Sequence, residues 1–206
     1  MFEQSLTLAT DRVLLKLAKQ PWLKKFYLAG GTALALEYGH RQSVDLDWFN
    51  PKHFRTKTVI HQLAALGEFE LLNEEEGTVD ALLDDVKVSF FHYPYKLLEP
   101  VVMWNGVRLA DPYDIACMKI NAIMGRNAKK DFIDLYVFLE KEGLTLPEVF
   151  RMAERKFGPS GRDEYHLLRS LVFFEEANAQ PSPKMTPPID WKKIQQFFIR
   201  EVKKLS

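Results

Sequence analysis

Residues 29–49, AGGTALALEYGHRQSVDLDWF, constrain the fold of this chain more than any other stretch. The apolar run FYLA at 26–29 predicts a short strand that enters the diglycine Gly30-Gly31. The apolar residues that follow predict a short helix, which we expect Thr32 to cap and Gly39 to end. The sequence therefore predicts a strand, a tight turn and a helix in direct succession.

The residues after this helix alternate as they do in a β-strand. In 43–49, SVDLDWF, successive side chains should point to opposite faces. One face takes Val44, Leu46 and Trp48, and the other takes Asp45, Asp47 and Phe49. We therefore expect the two aspartates to be neighbours on one side of one strand.

This arrangement favours a particular chemistry. Carboxylates at i and i+2 on a strand lie roughly 6–7 Å apart, a spacing that allows them to bind a hard cation such as Mg²⁺ together. A diglycine before a helix lets backbone amides approach a phosphate, which the helix dipole also favours. Asp-x-Asp alone is weak evidence for such a site and is more typical of a solvated strand face. The complete succession instead indicates a site for a metal-bound triphosphate.

The rest of the chain predicts an α+β protein with a mixed sheet followed by a helical bundle. The pattern divides the chain into an α/β domain at 1–110 and a helical domain at 111–206. Strands are predicted at 68–73, 78–83, 86–91 and 106–110, with Asp84-Asp85 as a tight turn. Helices are predicted near 5–19, 54–66, 112–124, 129–141, 146–157, 161–177 and 189–204, and a proline-rich linker at 178–188.

Composition narrows the possible partners. The 28 basic and 28 acidic residues cancel, and residues 1–110 carry 12 basic and 14 acidic side chains, so a polyanion would need a local patch. The single cysteine, Cys117, lies in an apolar run and is expected to be a buried small side chain. No signal peptide or membrane-spanning stretch is predicted, so we expect a cytoplasmic protein with no membrane partner.

Two stretches resemble the motifs of the nucleotidyltransferase AbiEii/AbiGii toxin family, within the DNA polymerase β-like superfamily. GGTALAL…GHRQSVDLDWF matches Gly-Gly or Gly-Ser, a short helix, and Asp-x-Asp on the next strand. DIACMKINAIMGRNAKKDFIDLYVFL matches a helical Lys…Arg…(Lys/Arg)-Asp-x-x-Asp-Leu motif. The resemblance covers about residues 25–140, and it implies a polymerase β-like nucleotidyltransferase sheet with a carboxy-terminal helical bundle.

The first motif implies the centre of the reaction. Asp45 and Asp47 would be catalytic and would bind Mg²⁺ or Mn²⁺, while Gly30, Gly31 and Thr32 would bind the triphosphate of a nucleoside triphosphate. Two metal ions ~3.5–4 Å apart would clamp the attacking and leaving oxygens in an in-line displacement that releases pyrophosphate.

The second motif implies further residues at the nucleotide. Lys119 would be catalytic and contact the phosphates, and Arg126, seven residues later, lies on the same helix face. A solvated face is the alternative for both. Asp131 and Asp134 match the motif's acids and are expected on the flank of their helix. Asp131 is equally well explained as a residue that orients a lysine or an arginine.

Two further basic residues and one missing acid complete the predicted site. Arg41 precedes the strand that carries the aspartates, where its guanidinium could reach a phosphate. Lys87 is either a site residue or a surface residue. Polymerase β-like enzymes often carry a third carboxylate on a nearby strand, but VKVSFF at 86–91 offers Lys87 and Ser89 there. Members of the AbiEii group often lack that acid.

The family resemblance also implies partners. It favours transfer RNA as the acceptor, with a protein hydroxyl second, and it implies a cognate antitoxin. The short basic group Arg126, Lys129 and Lys130 could track an RNA backbone, or it could be a solvated helix junction. The competing hypothesis is a non-catalytic nucleotide-binding or interaction module on the same scaffold.

Overall fold

The computed structural model describes residues 1–158 and 164–205. The chain divides into two compact units, Met1–Asp111 and Pro112–Ser206. The α+β class predicted from the sequence is confirmed, since the first unit holds a mixed sheet with helices and the second is helical. No helix in the described residues is long and apolar enough to cross a membrane.

The first unit is built on a seven-stranded sheet in the order β3-β4-β5-β2-β1-β7-β6. Its strands are β1 (Tyr27–Ala29), β2 (Leu46–Asn50), β3 (Phe69–Glu75), β4 (Thr78–Leu83), β5 (Val86–His92), β6 (Val102–Trp104) and β7 (Val107–Leu109). Its helices are α1 (Leu8–Ala18), α2 (Gly30–Tyr38) and α3 (Thr56–Ala64). Strand β2 runs antiparallel to β1 and parallel to β5, which makes the sheet mixed.

One face of this sheet carries the core of the first unit. Leu46, Trp48, Val88 and Phe90 share that face and are fully buried. The opposite face of the same strands carries Asp47, which is only partly buried. The hydrophobic effect therefore fixes which side of β2 faces the core, and the aspartate is left on the other side.

The predicted strand 43–49 begins later than expected. Val44 is 52% exposed and does not join the buried face of Leu46 and Trp48, so β2 starts at Leu46. The physical reason is that Ser43 pairs elsewhere, because its N–H donates to the carbonyl of Ser5 over 2.8 Å. Asp45 consequently precedes the strand instead of lying within it.

The two-residue turn Asp84-Asp85 is confirmed. Both residues have positive φ, 48° and 63°, as a two-residue hairpin turn requires. This turn sets the register of β4 against β5, with Leu83 opposite Val86. The same register pairs Asp80 with Ser89 further along the hairpin.

The second unit consists of helices. They are α4 (Pro112–Arg126), α5 (Lys129–Glu142), α6 (Leu146–Phe157), α7 (Glu164–Val172), α8 (Glu175–Ala179) and α9 (Trp191–Lys203). Cys117 is buried in α4, as expected.

The single helix predicted at 161–177 is wrong, because α7 and α8 are separate helices; residues 161–163 lie outside the described part of the chain. Phe174 leaves helical geometry, with φ −120° and ψ 13°. Its ring packs against Phe132 and Trp191 at centroid distances of 5.3 and 5.8 Å. Aromatic packing therefore outweighs the local helical pattern at this point.

Candidate active site

The carboxylate of Asp47 lies against the first residue of α2. Ala29, the last residue of β1, is paired with Asp47, so the next residue, Gly30, faces the aspartate side chain. A Cβ built on Gly30 would lie 2.7 Å from Oδ2 of Asp47, and the backbone of Gly30 has φ +68°. Only glycine meets both conditions without strain. The first glycine of the diglycine is therefore required by its positive φ, and a side chain at this position would also displace the Asp47 carboxylate.

Thr32 is not the helix cap that the sequence suggested. Helix α2 begins at Gly30, with Ala29 at the cap position, so Thr32 lies within its first turn. The Thr32 side chain is buried, and its hydroxyl donates to the backbone carbonyl of Asp45 and, over 2.8 Å, to Oγ of Ser43. This hydroxyl joins α2 to the chain just before β2 and so fixes the backbone that carries Asp45.

Arg41 belongs to the same connection. It is 95% buried, and its Nη1 donates to the carbonyl of Gln42 over 3.1 Å and to Oγ of Ser43 over 3.4 Å. Arg41 and Thr32 thus meet at the Ser43 hydroxyl. These contacts hold the segment that leads into Asp45.

The donor set fits a divalent cation that obtains its remaining ligands from elsewhere. Asp45 and Asp47 are both half-buried, and in the described residues no three His, Cys, Asp or Glu side chains converge to hold a metal. Mg²⁺ is typically bound by one or two protein carboxylates together with waters and substrate phosphates. The first-turn amides of α2 lie beside Asp47 and suit a phosphate.

Asp80 is a carboxylate that sequence reasoning missed. Asp47 pairs with Ser89, and Ser89 pairs with Asp80, so the three side chains form a row on one face across β2, β5 and β4. The Ser89 hydroxyl donates to Oδ1 of Asp80 over 2.6 Å. Two strand spacings separate Asp80 from Asp47 by about 10 Å at the backbone. The turn at Asp84-Asp85 was the available signal, because it determines that Asp80 faces Ser89.

Lys87 is exposed on the same face of the sheet as this row. It precedes Val88, the partner of Leu46, so it lies at the end of β2 where Asp45 stands. The structure therefore places an exposed positive side chain on the face that carries Asp47.

The predicted residues of the second unit form an ionic cluster in which Lys119 and both acids are buried and the Arg126 side chain is 59% exposed. The Lys119 ammonium lies 2.8 Å from Oδ1 of Asp131 and 2.7 Å from Oδ2 of Asp134. Arg126 donates from Nε to Oδ2 of Asp131 over 2.8 Å and from Nη2 to Oδ1 over 3.0 Å. Lys119 and Arg126 therefore converge, as their seven-residue spacing predicted, and they converge on Asp131.

Both acids of this cluster lie deeper than expected. Asp131 and Asp134 are fully buried and do not lie on the flank of α5. Burial alone would raise the pKa of Asp131, but the charge of Lys119 and the hydrogen bonds and charge of Arg126 outweigh it and hold that pKa below its ordinary value. Asp131 is therefore ionised at neutral pH and orients two cations.

The basic group at the α4–α5 junction is largely occupied within the helical unit. The Lys129 side chain is buried, its ammonium donates to the carbonyl of Gln180, and it lies 5.5 Å from the centre of the Trp191 ring. Arg126 is bound to Asp131. These contacts favour a structural role over RNA tracking for two of the three residues.

The family is decided by a match along almost the whole chain. Residues 12–204 match the model of the nucleotidyl transferase AbiEii toxin family, whose toxins belong to type IV toxin–antitoxin systems. This chain is an AbiEii-family nucleotidyl transferase toxin. The resemblance predicted from the two motifs is thereby confirmed, and it extends well beyond them.

Individual proteins also resemble this chain in sequence or in structure. Uncharacterized protein aq_aa25 of Aquifex aeolicus (strain VF5) is 40% identical over 182 residues, which are 86% of this chain and 86% of that protein. A crystal structure of a candidate nucleotidyltransferase from H. pylori covers 100% of this chain and 99% of its own, with TM-score 0.55 and 18% identity. JHP933 from Helicobacter pylori covers 98% and 95%, with TM-score 0.54 and 19% identity. The two structures show that this fold is shared.

Replacing Gly30 with Ala should remove activity through displacement of Asp47. The new Cβ would meet the carboxylate at 2.7 Å and would also force alanine to φ +68°. The matched control is Gly143→Ala, because Gly143 has φ +65° and no atom within 4 Å of a built Cβ. Both variants should lose about 1–2 kcal/mol of unfolding free energy from backbone strain, measured by urea denaturation. Only Gly30→Ala should lose nucleotidyl transfer, and equal activity in the two variants would contradict this account.

Replacing Asp131 with Asn should lower the free energy of unfolding by about 3–5 kcal/mol, because it leaves two cations of a buried cluster short of an anion. The control is Lys16→Ala, which breaks the partly exposed pair with Asp84 and should cost less than about 1 kcal/mol. Denaturant midpoints of both variants and the wild type measure the difference. Comparable losses in the two variants would show that the buried cluster does not stabilise the helical unit.

Acidification should reduce the stability difference between the wild type and Asp131→Asn. Because the pKa of Asp131 is lowered from 3.8 in the folded state, its contribution is complete well above pH 3.8 and is lost as the pH falls through the folded pKa. Denaturation curves at neutral pH and at successively lower pH measure this. A stability difference that widens on acidification would contradict a lowered pKa for Asp131.

Proposed function

We propose that this protein transfers a nucleoside monophosphate from a nucleoside triphosphate to a hydroxyl of an RNA acceptor, with transfer RNA favoured and a protein hydroxyl second. The acceptor oxygen forms a bond to the α-phosphorus, and the bond from that phosphorus to the bridging oxygen breaks. The hydroxyl proton leaves to solvent or a base, and pyrophosphate carries away the bond's electron pair. Because nucleoside triphosphates and transfer RNA are found in the cytoplasm, we expect the proposed reaction to take place there.

The observation that carries the proposal is the contact between Asp47 and Gly30. It brings a carboxylate, which suits a cation, within one side-chain length of the amino terminus of α2, which suits a phosphate. A triphosphate is a ligand that uses both, because its charge needs a cation and its oxygens accept hydrogen bonds from amides.

The carboxylates, the glycine amides and the threonine of the first motif then have different roles. Asp45 and Asp47 would hold Mg²⁺ or Mn²⁺, which would offset the negative charge of the phosphates when bound. The amides at Gly30 and Gly31 would bind phosphate oxygens. Thr32 would position Asp45 through its carbonyl, and its side chain would not contact the phosphate.

The roles of the other residues are predictions, which rest on the family motif or on the position of the residue in the structure. Lys119 and Arg126 carry the family's basic positions, with Asp131 and Asp134 as their orienting anions. Arg41 would act through Ser43, and Lys87 would supply an exposed charge on the sheet face. A cognate antitoxin would control the activity in the cell.

Asp47→Asn and Asp45→Asn should each reduce transfer at least about a hundredfold while leaving the fold intact, because each removes a charge that contributes little to the core. Asp80→Asn is the control on the same face. It should reduce transfer less, since Asp80 lies about 10 Å from Asp47 and an amide oxygen can still accept from Ser89. The measurement is the rate of label transfer from each α-labelled nucleoside triphosphate, with Mg²⁺ or Mn²⁺, to purified transfer RNA.

The same assay tests the acceptor and the rival hypothesis. Label in cellular protein and none in RNA would favour the protein hydroxyl. Triphosphate binding by the wild type with no transfer to either acceptor would favour a non-catalytic nucleotide-binding module. Full transfer by Asp47→Asn, or by the wild type in excess chelator, would exclude the proposed site.

A further inference from the structure

A cleft lies entirely within the first unit, at the edge of the sheet where β1 begins and β2 ends, away from Asp45 and Asp47. Its volume is about 720 Å³, within the range of roughly 300–1,000 Å³ that is usual for ligand pockets. Tyr27, which begins β1, and Asn50, which ends β2, both line it. Asn50 is three residues from Asp47, about 10 Å along the strand. A ligand in this cleft is therefore separate from a phosphate at the start of α2.

The lining of this cleft carries positive charge that no lining acid offsets. Its lining includes four of the 12 basic residues in 1–110 and none of the 14 acidic ones. The four are Lys25, Lys52, Arg55 and Arg108. In the described part of the chain, none of these four forms an ion pair. In a chain of net charge zero, such a concentration of one sign indicates an anionic ligand.

The cleft also presents flat rings beside these cations. Trp22 and Phe54 are both half-buried and both pack against Phe26, at centroid distances of 6.2 and 5.1 Å. Trp22 is held further by Phe90, at 5.7 Å. Rings anchored in this way lose little conformational freedom when a planar group stacks on them. Cations combined with anchored rings are typical of sites for single-stranded nucleic acid.

We propose that this cleft binds an unpaired segment of the RNA acceptor, with phosphates on the cations and a base against Trp22 or Phe54. The inference rests on the proposed function for the identity of the RNA, but the cleft is a site of its own. A concave site disfavours a flat membrane surface, and an acidic peptide would supply charge without planar bases. The cleft would hold the body of the acceptor while its reacting hydroxyl lies elsewhere.

This cleft replaces the basic group that the sequence suggested for RNA. Lys129 is buried and Arg126, although exposed, is paired with Asp131, whereas Lys25, Lys52 and Arg55 are exposed and form no ion pair in the described residues. Binding to phosphates is governed by exposed cations that can release counterions. The cations of the cleft meet that condition.

The test compares two triple variants of equal charge change. The cleft variant is Lys25→Glu, Lys52→Glu and Arg55→Glu, which spares Arg108 because its Nη1 donates to the Lys24 carbonyl. The control variant reverses three exposed cations that do not line the cleft, Arg12, Lys19 and Lys203, each to Glu. Fluorescence anisotropy measures binding of a labelled single-stranded RNA and of transfer RNA without triphosphate, over a range of salt.

The cleft variant should bind RNA at least about tenfold more weakly than the control variant. Its plot of log affinity against log salt should be shallower by about 2, since three phosphate contacts contribute ~0.7 each on a single strand. Binding of a nucleoside triphosphate with Mg²⁺ should be unchanged. RNA affinities within about twofold of each other in the two variants would overturn the proposal.

A second substitution separates nucleic acid from other polyanions. Phe54→Leu keeps an apolar contact with Phe26 but removes a flat ring, so RNA binding should fall about fivefold while binding of inorganic polyphosphate stays the same. Equal binding of RNA by the wild type, Phe54→Leu and the corresponding Trp22→Leu variant would overturn the stacking role. Loss of anionic-vesicle binding in the cleft variant, with RNA binding intact, would assign the cleft to a membrane surface instead.

Failure of this inference and failure of the proposed function give different results. If the wild type binds RNA through the cleft but transfers no nucleotide to that RNA, the proposed acceptor is wrong and the proposed role of the cleft is supported. If the wild type labels RNA and the cleft variant binds RNA as the control does, the cleft is wrong and the acceptor stands.

Discussion

The missing side chain of Gly30 is the constraint on which the first unit depends. Because Gly30 has φ +68°, α2 begins directly after β1 without strain only if that residue is glycine, and a Cβ there would displace Oδ2 of Asp47. The Thr32 hydroxyl then ties the first turn of the helix to the carbonyl of Asp45. Together these contacts fix the carboxylates and the helix amides relative to each other before any ligand binds, which is the pre-organisation that electrostatic catalysis uses.

Short-range patterns were enough to predict the elements of this site, and long-range pairing was not. The diglycine, the helix end at Gly39 and the turn at Asp84-Asp85 follow from backbone geometry within a few residues, and the structure confirms them. The row from Asp47 through Ser89 to Asp80 also requires β2 to pair in parallel with β5, which no local pattern specifies. Phe174 shows the opposite effect, since tertiary packing against Phe132 ends a helix that its local sequence favours.

The grouping of charged side chains in the folded protein differs from their grouping along the sequence. Residues Arg126, Lys129 and Lys130 are neighbours in sequence, yet the first is bound to Asp131 and the second to Gln180. Lys25 and Arg108 are far apart in sequence and line one cleft. A buried cation such as Lys129 needs a partner, because an unpaired buried charge is costly. Exposed cations with no acid nearby remain available to a ligand, and total charge reveals neither group.

The place of β1 inside the sheet has a consequence for synthesis of the chain. Its pairing with Asp47 is complete once the chain has reached β2, but its other side is covered only when Leu28 pairs with Leu109 in β7. Such distant pairings form slowly, and an uncovered strand can pair with other chains in the meantime. A chain that stopped before residue 109 would carry both aspartates and the diglycine on a sheet with an open edge. Premature termination would therefore leave this edge open to pairing with other chains, with every residue of the first motif still present.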